Sequence, residues 1–259
     1  MEIADTVQVC AKSDTGRVRK ENEDTYLIVD HKTNDFDFQY YGRMYAIADG
    51  MGGHAGGKIA SKMVCQGLLE YYHAGKFSEE GTEDIYKTRL HRLKTNVYGL
   101  HDRIHKYGEE NREYANLGTT LSVLVLFKNK ALIAHVGDSR IYRLRGNSME
   151  QLTQDHTMAQ TLIDLNYLTP RSAQTHPSQH VLTQAIGHDV EFIHDRIEDV
   201  KKGDMFLLCS DGLYNMLNDK VIKAILLNNS MLDEKCKQLV LSALEMGGTD
   251  NITLIVAQI

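Results

Sequence analysis

The sequence predicts an α+β fold in which strands and helices gather into separate layers. Strand-like runs come in series and helical segments in pairs, without the regular strand–helix alternation of a parallel sheet. The runs at 120–127, 131–136 and 139–144 are joined by short connections containing Asn or Gly, which suit an antiparallel meander. Only two prolines occur, Pro170 and Pro177, with no Pro- or Ser-rich linker and no internal repeat. Residues 1–259 are therefore expected to form a single domain.

The chain opens with short apolar runs at 7–11, 26–29 and 43–48, each read as a strand. Two helices follow, at 58–73 and 84–107. In the second, Tyr86, Leu90, Leu93, Val97, Leu100, Ile104 and Tyr107 recur every three or four residues, a stripe that packs on a core and needs no functional explanation. After the meander, 154–166 reads as a helix and 169–187 as a long polar loop, a kind of segment that often carries function in compact domains. Strands at 192–197 and 205–209, helices at 219–227 and 233–246, and a last strand at 252–257 complete the chain.

Composition narrows the function. Apolar residues at 42% and charged residues at 25% are the balance of an ordinary globular protein. A formal net charge of -6 argues against broad binding to nucleic acid or anionic membrane. No stretch approaches the ~20 apolar residues of a membrane span, and the first residues lack the basic start and apolar run of a secretion signal, so a cytoplasmic location is expected. Cys10, Cys65, Cys209 and Cys236 lie in or beside apolar runs without metal-ligand spacing, as buried free thiols would.

The chemistry is carried by aspartates that repeat one context, the end of an apolar strand beside a turn residue. Asp49 follows Tyr45-Ala46-Ile47-Ala48 and precedes Gly50; Asp211 follows Phe206-Leu207-Leu208-Cys209-Ser210 and precedes Gly212. Asp138 follows Val136-Gly137, Asp250 leads into the last strand, and Asp24 leads from Asn22-Glu23 into the second. Half-buried carboxylates brought together repel one another and persist only with cations or protons. An all-oxygen set selects hard ions such as Mg²⁺ or Mn²⁺. Asp-Gly is also a common turn pair, so spacing alone leaves open whether the five converge.

Residues 50–58 read Gly-Met-Gly-Gly-His-Ala-Gly-Gly-Lys and imitate two phosphate-binding loops. Gly52, Gly57 and Lys58 fit the start of a nucleoside-triphosphate loop, but Ile59 stands where a hydroxyl should reach Mg²⁺. Gly50, Gly52 and Ala55 fit a loose dinucleotide pattern, yet Asp49 would set a negative charge against the pyrophosphate, and Glu70 lies in a helix instead of at a strand end. The loop is better read as backbone passing close to a metal or a phosphate.

Taken in order, the motifs resemble the PPM family of metal-dependent protein serine/threonine phosphatases (protein phosphatase 2C type), in its bacterial branch. They are 13–24, ending Glu21-Asn22-Glu23-Asp24; Asp49-Gly50-Met51-Gly52-Gly53-His54; Gly118-Thr119-Thr120; Gly137-Asp138-Ser139-Arg140; and Leu152-Thr153-Gln154-Asp155-His156. His176-Pro177, Leu182-Thr183-Gln184-Ala185-Ile186-Gly187, Ser210-Asp211-Gly212 and Gly248-Thr249-Asp250-Asn251 close the series. The resemblance implies a four-layer α-β-β-α sandwich, with two antiparallel sheets flanked by helices, a metal centre between strand ends, and a flap at about 155–190.

It also implies roles. Asp49 matches the carboxylate bridging two Mn²⁺ or Mg²⁺ ions, the Gly50 carbonyl a ligand of the second, and Asp211 and Asp250 ligands of the first. Asp24, with Glu23 as a lesser candidate, matches the group holding waters of the second ion, and Asp138 a ligand of a third, weaker ion. Arg19 matches the arginine gripping the substrate phosphate. His54 is the candidate general acid, set against a loop histidine that only hydrogen-bonds; His156 is a weaker candidate, set against plain helix capping. His176 and His180 are flap or substrate candidates. The implied partners are phosphoserine and phosphothreonine proteins, including a cognate kinase and its targets, with a monomer and neither nucleic acid nor membrane. Two rivals are a catalytically dead binding module, disfavoured because every matched aspartate is present, and a hydrolase of another phosphate ester such as a phosphodiesterase.

Overall fold

The computed structural model describes residues 7–30, 36–51, 56–73, 84–173 and 175–259. In chain order the first elements are β1 Gln8–Asp14, β2 Thr25–Val29, α1 Phe38–Tyr41, β3 Arg43–Ala48, β4 Gly50–Met51, α2 Gly56–Gly67, α3 Glu70–His73 and α4 Ile85–Glu110. The meander follows as β5 Gly118–Thr119, β6 Leu121–Phe127, β7 Lys130–Val136, β8 Arg140–Arg145 and β9 Ser148–Gln151. Then come α5 Met158–Asp164, α6 Pro170–Ala173, β10 His194–Asp199, β11 Met205–Cys209, α7 Asp211–Tyr214, α8 Asp219–Leu227, α9 Leu232–Glu245 and β12 Ile252–Gln258.

Two five-stranded sheets form, one in the order β1-β12-β11-β8-β9 and the other β10-β7-β6-β3-β2, with every pairing antiparallel. Alternation along each central strand explains why their sequences read as continuous apolar runs. Met44, Ala46 and Ala48 of β3 face the core under α2 and α4, whereas Tyr45 and Ile47 face the opposite sheet. Likewise Leu207 and Cys209 of β11 face α7, α8 and α9, whereas Phe206 and Leu208 face the other sheet, sharing its inner core with Tyr45 and Ile47 of β3 and Leu124 and Leu126 of β6. A strand buried on both faces has no polar side to show. The architecture is the expected four-layer α-β-β-α sandwich.

The α4 stripe packs as its periodicity required: Leu93, Val97, Leu100 and Ile104 are buried, and the Asp84 side chain caps the helix by accepting from the Tyr86 and Lys87 amides. The helix expected at 58–73 is instead two, α2 and α3, parted at Leu68-Leu69. Gly67 ends the first where α4 crosses; a Cβ there would stand 2.1 Å from Leu100 Cδ2. The helix expected at 154–166 shortens to α5 because Thr157, not Gln154, starts it, its Oγ1 accepting from the Gln160 amide. The loop at 169–187 holds α6 and a 3-10 turn, Pro177–His180. Among the described residues no helix is long and apolar enough to cross a membrane.

Candidate active site

Five aspartates hang at strand ends on one edge of the sandwich. Asp24, Asp49 and Asp138 come from the sheet containing β2, β3 and β7, and Asp211 and Asp250 from the sheet containing β11 and β12. They are drawn close enough to act on one another's charge. Asp49 is pushed well above the usual carboxylate range by burial first, then by the negative charges of Asp24, Asp211, Asp138 and Asp250. Burial likewise lifts Asp24 to about 7, opposed by hydrogen bonds from Thr253 and Ser210 and reinforced by Asp211 and Asp250. Asp211 rises to about 6 through burial and Asp250, with His180 and Arg19 pulling the other way. Asp138 is raised by burial, Asp211 and Asp155.

Local structure holds each carboxylate in place. The Asp49 peptide is fastened to Thr120: its amide donates to Thr120 Oγ1 at 3.0 Å, and its carbonyl accepts from the Thr120 amide and from Thr119 Oγ1. Asp24 Oδ2 accepts from Ser210 Oγ at 2.8 Å, a bond across the two sheets. Asp211 opens α7, and Asn215 Nδ2 donates to its Oδ2 at 3.1 Å. Asp250 Oδ1 accepts from the Asn251 amide, and Oδ2 from Arg19 Nη2 at 2.7 Å. Two glycines are demanded by close backbone approach: a Cβ on Gly50 would lie 2.2 Å from the Gly57 carbonyl oxygen, and one on Gly212 2.1 Å from that of Asn251.

Asn251, which the sequence reading passed over, organises the loop bearing Arg19. Its Nδ2 donates to the Thr15 and Glu21 carbonyls, and its Oδ1 accepts from the Glu23 amide. Glu23 is thus held by its main chain, its carbonyl accepting from Ser61 Oγ at 2.6 Å. The Arg140 side chain of the Gly137-Asp138-Ser139-Arg140 motif forks onto Asp155 and lies 3.6 Å from the Tyr214 ring centre. The flap candidates separate. His180 Nδ1 stands 3.9 Å from Asp211 Oδ2, whereas His176 turns back on its own segment, Nδ1 accepting from the Ser178 amide. His156 does not cap α5, a role taken by Thr157; its Nδ1 accepts from the Gly137 amide at 3.2 Å. His54 lies outside the described residues, as do Gly52, Gly53 and Ala55.

The donor set suits divalent cations. Asp24 Oδ1 and Asp211 Oδ1 are buried with no hydrogen-bond partner, although a charged oxygen in that setting needs one. Among the described residues no three His, Cys, Asp or Glu side chains close on one point as a ready-made cage. The carboxylates feel one another's charge without closing on one point, an arrangement suited to ions that keep much of their water, as Mg²⁺ does. The thiols stand apart: no disulfide links them, and burial pushes Cys65 up to about 12.

Comparison with known proteins points the same way. Residues 20–238 match the model of the family described as Protein phosphatase 2C. Protein phosphatase PhpP of Streptococcus pneumoniae is 35% identical over 250 residues, covering 96% of each chain. The crystal structure of the serine/threonine phosphatase Stp1 from Staphylococcus aureus superposes with a TM-score of 0.87 at 32% identity, over 100% of this chain and 97% of that one. The catalytic domain of the serine/threonine phosphatase PstP, solved in complex with two manganese ions, matches with a TM-score of 0.78 at 33% identity over 97% of both chains. The chain belongs to the protein phosphatase 2C family of metal-dependent serine/threonine protein phosphatases.

Proposed function

We propose that the whole chain acts as one catalytic domain that removes phosphate from phosphoserine and phosphothreonine in proteins. The observation carrying this reading is the convergence of Asp24, Asp49, Asp138, Asp211 and Asp250, each of the first four raised by burial and by its neighbours. Such a cluster, offset in part by Arg19, His180 and Arg140, would repel a phosphate dianion; it becomes a phosphate site when cations occupy it. Asp49 would lie between two ions, with the Gly50 carbonyl on one, Asp211 and Asp250 on the other, Asp24 holding water and Asp138 serving a third site. When bound, Mn²⁺ or Mg²⁺ supplies the Lewis acidity that activates water for attack on phosphorus.

The chain's own groups do the rest. Arg19 spends one N–H on Asp250 and keeps the remainder of its fork for phosphate oxygens, a planar match that lysine lacks. His54 is proposed to protonate the departing serine or threonine oxygen. The flap, 155–190, brings His180 over Asp211 and would contribute to recognition of the phosphoprotein. A cognate serine/threonine kinase and its targets are the proposed substrates, met in the cytoplasm by a monomer. Four unpaired cysteines suit that reducing compartment.

The test is hydrolysis of phosphothreonine peptide by the purified protein with Mn²⁺, abolished by EDTA and restored by metal. Activity that survives complete chelation, or preference for a cyclic nucleotide over the peptide, overturns the reading.

A further inference from the structure

We propose that His156 is a positioning residue that locks the peptide carrying Asp138 to the root of the flap, so that cation binding at Asp138 and seating of the flap depend on one imidazole. The inference rests on the reading of Asp138 as a cation ligand.

His156 grips Gly137 at both of its polar groups. Its main-chain N–H donates to the Gly137 carbonyl at 2.7 Å, and its Nδ1 accepts from the Gly137 amide at 3.2 Å. Gly137 holds φ +103°, and a Cβ there would strike Thr120 Cβ at 2.6 Å, so its geometry is set by these contacts and not by a side chain of its own. Asp138 is the next residue; its carboxylate direction follows the orientation of that peptide. Tyr214 Oη fixes the far side by donating to the Asp138 carbonyl at 3.0 Å.

The same histidine anchors the flap. Its carbonyl accepts from the Thr183 amide at 2.9 Å, Thr157 forms a β-bridge with Leu182, and the Met158 amide donates to the Val181 carbonyl. Residues 156–158 and 181–183 are thus stitched together at the root of the flap, and Phe192 packs edge-on against the His156 ring at 5.2 Å. Acceptance at Nδ1 places the imidazole proton on Nε2, and this buried N–H has no hydrogen-bond partner. An orphan donor in a residue only 5% exposed is destabilising and needs a compensating use, which the grip on Gly137 provides.

The experiment separates acceptor geometry from bulk. Asn places an amide oxygen where Nδ1 stood, whereas Gln carries it one bond farther, toward the Nε2 position. Calorimetric titration of the metal-free proteins with Mn²⁺, paired with hydrogen exchange of 157–186 and a thermal midpoint for each variant, compares His156→Asn, His156→Gln and Asp138→Asn. The weakest Mn²⁺ step should loosen about tenfold in His156→Gln, as when a group orienting a metal ligand is lost, with faster flap exchange, and return to within about threefold in His156→Asn. Equal Mn²⁺ binding by His156→Gln and wild type, while Asp138→Asn binds less, overturns the positioning role. So does a His156→Asn as weak as His156→Gln at an unchanged thermal midpoint. Unaltered binding by Asp138→Asn instead sinks the reading of Asp138 itself.

Discussion

Replacing Asp24 with Asn should stabilise the metal-free protein at alkaline pH. Burial lifts the folded carboxyl to about 7 from an ordinary 3.8, so between those values the folded state holds a proton that the unfolded chain has released. Stability from this group is therefore complete below the unfolded value, declines as pH rises, and is lost above the folded value. The shift corresponds to at most ~4 kcal/mol at 1.36 kcal/mol per unit, and sharing the titration with Asp49 and Asp211 brings the expectation to ~2 kcal/mol. Asn keeps the shape and still accepts from Ser210 Oγ, but carries no charge to bury. For a chain of 259 residues, ~2 kcal/mol is a rise of about 4 °C in melting temperature. Differential scanning calorimetry of EDTA-treated protein should show Asp24→Asn melting above wild type at pH 8 and level with it at pH 4. Adding Mn²⁺ should raise the wild type more than the variant. An Asp24→Asn protein that melts below wild type at pH 8 without metal would refute the reasoning.

Other substitutions probe separate links. Asp211→Asn should reduce metal-dependent kcat by at least about a hundredfold, read on a phosphothreonine peptide at saturating Mn²⁺; retained full activity would remove its ligand assignment. Arg19→Ala should chiefly raise KM, by about tenfold or more, with Arg19→Lys restoring little because the fork is lost. Gly212→Ala forces a Cβ to within 2.1 Å of the Asn251 carbonyl oxygen, so urea denaturation should show a loss of ~2 kcal/mol or more. For His54→Ala, the activity loss should be larger with phosphoserine than with p-nitrophenyl phosphate, whose leaving group needs little protonation.

The layers were legible because strands buried on both faces carry unbroken apolar runs, as β6 and β11 do, while α4 shows its stripe directly. Strand β9 was not, since Ser148-Met149-Glu150-Gln151 lies at a sheet edge where polar residues suffice. Each aspartate was visible one at a time, at the end of its strand. Their meeting was not visible from spacing, because it is made by pairings such as β11 with β12 that join residues some fifty apart in sequence. The family resemblance supplies that information, and the mutual repulsion of Asp24, Asp49, Asp138 and Asp211 displays it. Asn251 escaped notice because its work is done through side-chain bonds to the carbonyls of Thr15 and Glu21, more than two hundred positions away. The Arg140–Asp155 fork spans two motifs, one read for Asp138 as a cation ligand and the other for His156 as an acid or helix cap, so neither reading pairs the two side chains.

That three carboxylates hang from one leaf of the sandwich and two from the other has a mechanical meaning. Like charges prise the leaves apart at that edge, while the apolar seam of Tyr45, Ile47, Phe206, Leu208 and Ile255 draws them together behind it. A cation spanning the gap would work as a rivet, and its removal would loosen the seam from the charged rim inward. The molecule's resistance to shear and its capacity for catalysis would then fail together, from the same corner.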